Sequence, residues 1–143
     1  MRVTKKDNEE GRSVDGIIDV GWECLDSGKC RVKVMEEVLF IDVKDLRDGD
    51  IVIAEDGRRF RVRLKEEEVI SLPIRDELSF TLGYIIGNFH SRVMIKERKV
   101  YAMAVPTLME RLSEFNAQKV KTKFMPNIEL PIPYSVVLDF GQR

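Results

Sequence analysis

The chain has 143 residues, enough for one ordinary domain or two small ones. Its hydrophobic fraction of 43% is that of a globular protein, and its apolar runs are too short to span a bilayer. With 24 basic and 25 acidic residues the net charge is −1, so no global field draws it to nucleic acid or to an anionic membrane.

The opening segment, "MRVTKKDNEEGRSVDG", is charged and lacks the apolar core of a secretory signal. It predicts a cytoplasmic protein whose residues 1–16 are flexible. From Ile17 to about Leu72 short Val- and Ile-rich runs alternate with turns. "GIIDVGWEC" and "CRVKV" flank the turn "LDSGK"; "EVLFIDV", "RDGD", "IVIA", "EDG" and "RRFRVRL" follow. Arg59, Arg61 and Arg63 alternate with Phe60, Val62 and Leu64, the pattern of a strand with one face in a core and one in water. Residues 17–72 therefore read as a small all-β domain.

After this the period changes. "EEEVISL" reads as a strand near 68–72, and Pro73 precedes Leu78, Leu82, Ile85 and Phe89 at helical spacing, with Asp76 placed as the N-cap. That helix should stop near Gly87 and Asn88. "RVMIK" and "VYAMAV" make a hairpin around "ERK"; Pro106 opens a second helix with the stripe Leu108, Met109, Leu112 and Phe115, ending at Asn116. "QKVKTKF" closes the series as a strand. The order βαββαβ is that of a ferredoxin-like α+β domain over residues 73–125, with its first strand near 68–72. The expected architecture is thus two small domains, an N-terminal all-β domain followed by a ferredoxin-like one. Residues 126–143, with three prolines, read as a tail with at most one docked strand.

No phosphate loop, internal repeat or nucleophile motif stands out, and a triad built on histidine has only His90 to use. An enzyme is not expected. Cys24 and Cys30 flank "LDSGK" and suit ordinary strand positions or a structural disulfide better than a metal site, which normally assembles four ligands. Lys119, Lys121 and Lys123 line one face of a strand, where a row of like charges protects a sheet edge. Met94, Met103, Met109 and Met125 are assigned to packing rather than to soft-metal ligation.

His90 is the only histidine. Read by itself, an imidazole just after a helix is a C-terminal capping or surface residue, favoured there by the helix dipole. The segment "GNFH", following an apolar helix and preceding a strand, together with "LRDGD" at 46–50 in a small β domain, resembles the UreE family of urease accessory proteins, over roughly residues 17–125. The resemblance implies a nickel metallochaperone. Its members are dimers in which this histidine, here His90, binds Ni(II) from both subunits, with Gly87 and Asn88 as the turn that aims it. It also implies a docking or peptide-binding role for 17–72, and partners in urease apoprotein and other urease accessory proteins. The chain differs from the family's usual pattern in having Phe89 where arginine is common, and a tail without histidines.

The chemistry agrees on one condition. Imidazole suits Ni, Zn and Cu, yet one nitrogen per chain cannot fix a coordination geometry, so symmetry must supply the second. A homodimer, or a dimer of dimers, would do so, with Zn(II) or Cu(II) as other possible cargo. The alternative is a protein-binding or scaffold module in which His90 is incidental.

Overall fold

The computed structural model describes residues 1–7, 9, 11 and 13–128. They form two compact units, Met1–Val69 with Lys119–Met125, and Ile70–Gln118 with 126–128.

In the first unit lie strands β1 (Arg2–Lys6), β2 (Gly16–Val20), β3 (Lys29–Val34), β4 (Glu37–Asp42), β5 (Ile51–Ala54) and β6 (Arg59–Leu64), with a short helix α1 (Trp22–Ser27) between β2 and β3. The six strands make one mixed sheet in the order β2-β6-β5-β1-β4-β3. Two pairings are parallel, β1 with β4 and β2 with β6; β5 lies antiparallel to β1 and β6, and β3 antiparallel to β4. Alternating apolar residues turn inward, so Val3, Leu39, Val52, Phe60 and Val62 are almost fully buried. Trp22 meets Phe124 edge to face at 5.9 Å.

Strand β7 (Glu66–Pro73) leads into α2 (Asp76–Asn88), β8 (Val93–Lys96), β9 (Lys99–Met103), α3 (Pro106–Leu112), a 3₁₀ turn (Ser113–Phe115) and β10 (Gln118–Lys123). The second sheet has the order β10-β7-β9-β8. In the second unit Ile70, Leu72, Leu82, Ile86, Ala102, Leu108 and Leu112 form one core. Helix α3 starts at Pro106, as the sequence predicts, since proline lacks only an N–H that the first turn would leave unpaired. Helix α2 has Arg75, not Asp76, at its cap position, without a side-chain cap. Its buried stripe is Leu82 and Ile86, while Leu78 and Phe89 are partly exposed.

These findings correct the expected N-terminal all-β domain followed by a ferredoxin-like domain. The molecule is mostly β, a six-stranded mixed sheet and a four-stranded sheet with few helices. Three local misreadings lie behind the correction. Residues 2–6 are not flexible: Val3 is fully buried, and β1 fills the gap between β4 and β5. "WECLDS" is a helix rather than the end of a strand, stopped by Gly28 at φ +71, whose N–H donates to the Cys24 carbonyl at 2.8 Å. Finally, 119–125 and the start of β7 belong to the first unit, so the last strand does not close a self-contained second domain.

A further difference concerns Arg59, expected to face water with Arg61 and Arg63. It is only 7% exposed. Its guanidinium bonds the Asp7 carboxylate and the carbonyls of Glu9 (2.7 Å) and Ser13 (3.1 Å), while its N–H donates to Asp15 (2.8 Å). A buried charge is tolerable when so paired, and here it ties the connection between β1 and β2 to β6. The tail expectation falls, beyond Ile128, outside the described residues. No helix among the described residues is long and apolar enough to cross a membrane.

Candidate functional site

His90 stands two residues beyond the end of α2. The helix closes with the Phe89 N–H donating to the Ile86 carbonyl (3.2 Å) and the His90 N–H to that of Gly87 (3.0 Å). These bonds hold His90 at φ +53, the left-handed conformation in which chains commonly leave a helix and which histidine enters more readily than branched residues. The residue is exposed. The sequence "GNFH" thus turns the chain sharply at the helix end and leaves the imidazole outside the core.

His90 lies at a groove of about 640 Å³ within the second unit. One wall is α2, through Leu82, Gly83, Ile86 and Gly87; the other is Val93 and Ile95 of β8 with Val100 of β9. The lining is chiefly apolar, with His90, Ser79, Ser91 and Arg92 as its polar members. Gly83 and Gly87 stand one helical turn apart, and a Cβ at either would meet nothing within 4 Å. Glycine inside a helix costs about 1 kcal/mol relative to alanine. Here that cost leaves the groove open.

The far rim is built by a segment whose role the sequence did not disclose. Asn127 sits against β8: its N–H donates to the Val93 carbonyl (3.1 Å), its Oδ1 accepts from the Ile95 N–H (2.8 Å) and its Nδ2 donates to the Ile95 carbonyl (2.7 Å). The side-chain amide copies a peptide group and continues the pairing beyond the edge strand. Ile128, next in sequence, lines the groove. An asparagine directly after Pro126 was the available signal, but only the fold shows that it lands on β8.

Among the described residues no three His, Cys, Asp or Glu side chains cluster so as to hold a metal. Cys24 and Cys30 form a disulfide between α1 and the start of β3, with Cα atoms 5.2 Å apart, and so offer no thiolate. Lys119 pairs with Glu68 at 3.2 Å and Lys123 with Asp48 at 3.1 Å, on the edge strand β10. Met109 packs on the second core and Met125 on the first. The chain's imidazole is therefore a single exposed donor at the end of a helix.

No protein-family model matches the chain. Three curated proteins, each named urease accessory protein UreE, are similar to it. That of Aliarcobacter butzleri is 32% identical over 89 residues, 57% of this chain and 60% of that protein. That of Burkholderia lata is 32% identical over 78 residues, 54% of this chain and 38% of that protein. The protein from Burkholderia mallei is 31% identical over 84 residues, 57% and 46% of the two chains. The matched part thus spans less than two thirds of the length of these relatives. Over somewhat more than half of its length, the chain is thus similar to proteins named urease accessory protein UreE.

Proposed function

We propose that the chain is a nickel metallochaperone, not an enzyme, which carries Ni(II) for assembly of the urease metallocentre. In this reading it acts as a homodimer, or a dimer of dimers, in which His90 of each protomer donates one imidazole nitrogen to a shared ion. The second unit, which holds His90, serves to bind the metal, and the first unit serves to dock on urease apoprotein or other urease accessory proteins. The relatives' names support the accessory role.

The observation that carries the reading is the placement of His90, the chain's one imidazole, exposed beyond a helix end and held there by main-chain bonds. A site completed by symmetry and by water holds its ion with few protein ligands, which suits cargo that must be released. Imidazole also accepts Zn(II) and Cu(II), so these compete for the same position.

Calorimetry with Ni(II) on the wild type, His90→Ala and His90→Asn tests the proposal. Asparagine tolerates the left-handed conformation, so the second variant separates loss of the ligand from strain at the turn. Loss of the tight site in both variants, with circular dichroism unchanged, is the expected result. Undiminished nickel affinity in both would exclude His90 as the ligand and favour a protein-binding module in which the histidine is incidental.

A further inference from the structure

Strand β3 is an edge of the six-stranded sheet, and part of its outer side has no partner strand among the described residues. The Val43 N–H donates to the Gly28 carbonyl at 2.8 Å. Antiparallel pairing alternates, so Cys30, Val32 and Val34 turn their main-chain groups to β4 while Lys29, Arg31 and Lys33 turn theirs outward. Lys29 is already served: the Ser27 hydroxyl donates to its carbonyl (2.9 Å) and accepts from its N–H (3.1 Å). Arg31 and Lys33 form the open edge.

This edge borders a groove of about 690 Å³ in the first unit, whose opposite wall is the other edge strand, β2. There the Lys65 N–H donates to the Val20 carbonyl at 2.9 Å, so Ile18 and Val20 face β6 with their main-chain groups while those of Ile17 and Asp19 face the groove. Burial points the same way. The inward-facing Leu39 and Ile41 of β4 are 0% and 2% exposed, whereas Val32 and Val34, packed on the same core from β3, are only half-buried.

We propose that an extended acidic segment of a partner protein pairs with β3 at Arg31 and Lys33 and lies in this groove. Charge and phase name the occupant. Lys29, Arg31 and Lys33 are the exposed row of β3, and the Arg31 guanidinium is held over the Phe40 ring, 5.1 Å from its centroid. Residues set opposite them on an added strand share their face, so acidic side chains there form cross-strand ion pairs. The residues between meet Val32 and Val34 and should be apolar. The groove's own acids stand aside: Asp19 is paired with Arg63 at 2.6 Å, and Glu23 and Glu67 lie at Gly21, beside α1. A second copy of the chain is disfavoured, because pairing β3 with itself sets one basic row against another. The proposal gives a place and a chemistry to docking by the first unit, and rests on that reading.

A capped peptide of about seven alternating Glu and Val residues, added to the isotopically labelled full chain, tests this. It should bind and slow hydrogen exchange at the Arg31 and Lys33 amides, and a peptide of alternating Lys and Val should not. Methylating the peptide nitrogens of the Glu residues, or of the Val residues, removes its main-chain donors to one side; at least one of these two peptides should lose binding. In the double variant Arg31→Glu, Lys33→Glu the Glu and Val peptide should bind about tenfold more weakly, the worth of two exposed ion pairs, and the Lys and Val peptide should gain. Both positions are exposed, and circular dichroism checks the fold. Nickel titration of the same variant should match the wild type. A wild type that takes up nickel but no peptide would overturn this proposal alone, and one that binds peptide but no nickel would overturn the metal reading alone. Equal binding of the parent and both methylated peptides, or an unchanged preference in the double variant, also overturns the proposal. So does a rise of wild-type mass with concentration that the double variant abolishes, which would seat a second copy on β3.

Discussion

At Asp48 a main-chain donor and a lysine act on one carboxylate. The Leu64 N–H donates to Oδ1 at 2.8 Å and Lys123 Nζ reaches Oδ2 at 3.1 Å. The Leu64 hydrogen bond, more than the lysine charge, holds this carboxyl below the usual carboxylate range. A depressed folded value adds stability above the unfolded value, about pH 3.9 for aspartate, and that stability fades as pH falls through the folded value. Both side chains are more than a third exposed, so screening limits the effect. Asp48→Asn should therefore cost about 0.5 kcal/mol near neutrality, and the difference from wild type should close in acid below the folded value; urea melts at neutral and strongly acid pH measure it. An equal cost at both would show that charge is not the cause. Such effects were only partly legible. Alternation in β6 gave the inward phase of Phe60, Val62 and Leu64 correctly, but could not reveal that Arg59 is buried, since its partner Asp7 is 52 residues away in sequence.

Elements were legible where period and punctuation agreed. Pro106 marks the start of α3, and Gly87 and Asn88 fall at the end of α2. The turns Met35-Glu36 and Glu97-Arg98 join β3 to β4 and β8 to β9 with both residues at positive φ, the two-residue hairpin geometry, though none is glycine. Helix α1 was hidden because six residues show less than two turns of helical period, and they lie between Val- and Ile-rich runs. Its disulfide closes a short loop, with a sequence separation of 6. Loop-closure entropy for that length is worth about 2 kcal/mol. Replacing both cysteines with serine should lower stability by roughly that amount in guanidinium melts, with an added loss from polar groups at a site where Cys24 is 6% exposed. Nickel uptake should be unchanged in the same variant. A variant that no longer took up nickel would place the metal at the cysteines and not at His90.

At the scale of the molecule, sequence order shows which elements follow one another but not which unit claims each of them. Lys119–Met125 comes last among the well-patterned segments, yet it packs with Met1–Val69, through partners such as Asp48 and Trp22 that lie 75 and 102 residues upstream. The candidate site was easier to see because it is local: a helix end, a turn and one imidazole fall within "GNFH". What the sequence leaves open is the assembly, and the proposed function makes a definite demand of it. With one histidine per chain and no carboxylate or thiolate cluster among the described residues, a tight site needs imidazoles from at least two protomers. Nickel should then bind at one ion per two chains, or one per four if dimers pair. Occupancy should fall in acid by more than one proton per metal, since every donating imidazole must be neutral. Sedimentation equilibrium alongside calorimetry decides the matter: a dimeric mass with half an ion per chain is expected, and His90→Asn should keep that mass while losing the ion. A monomer that binds one nickel tightly would sink the symmetric site, because a lone exposed imidazole cannot by itself provide that affinity.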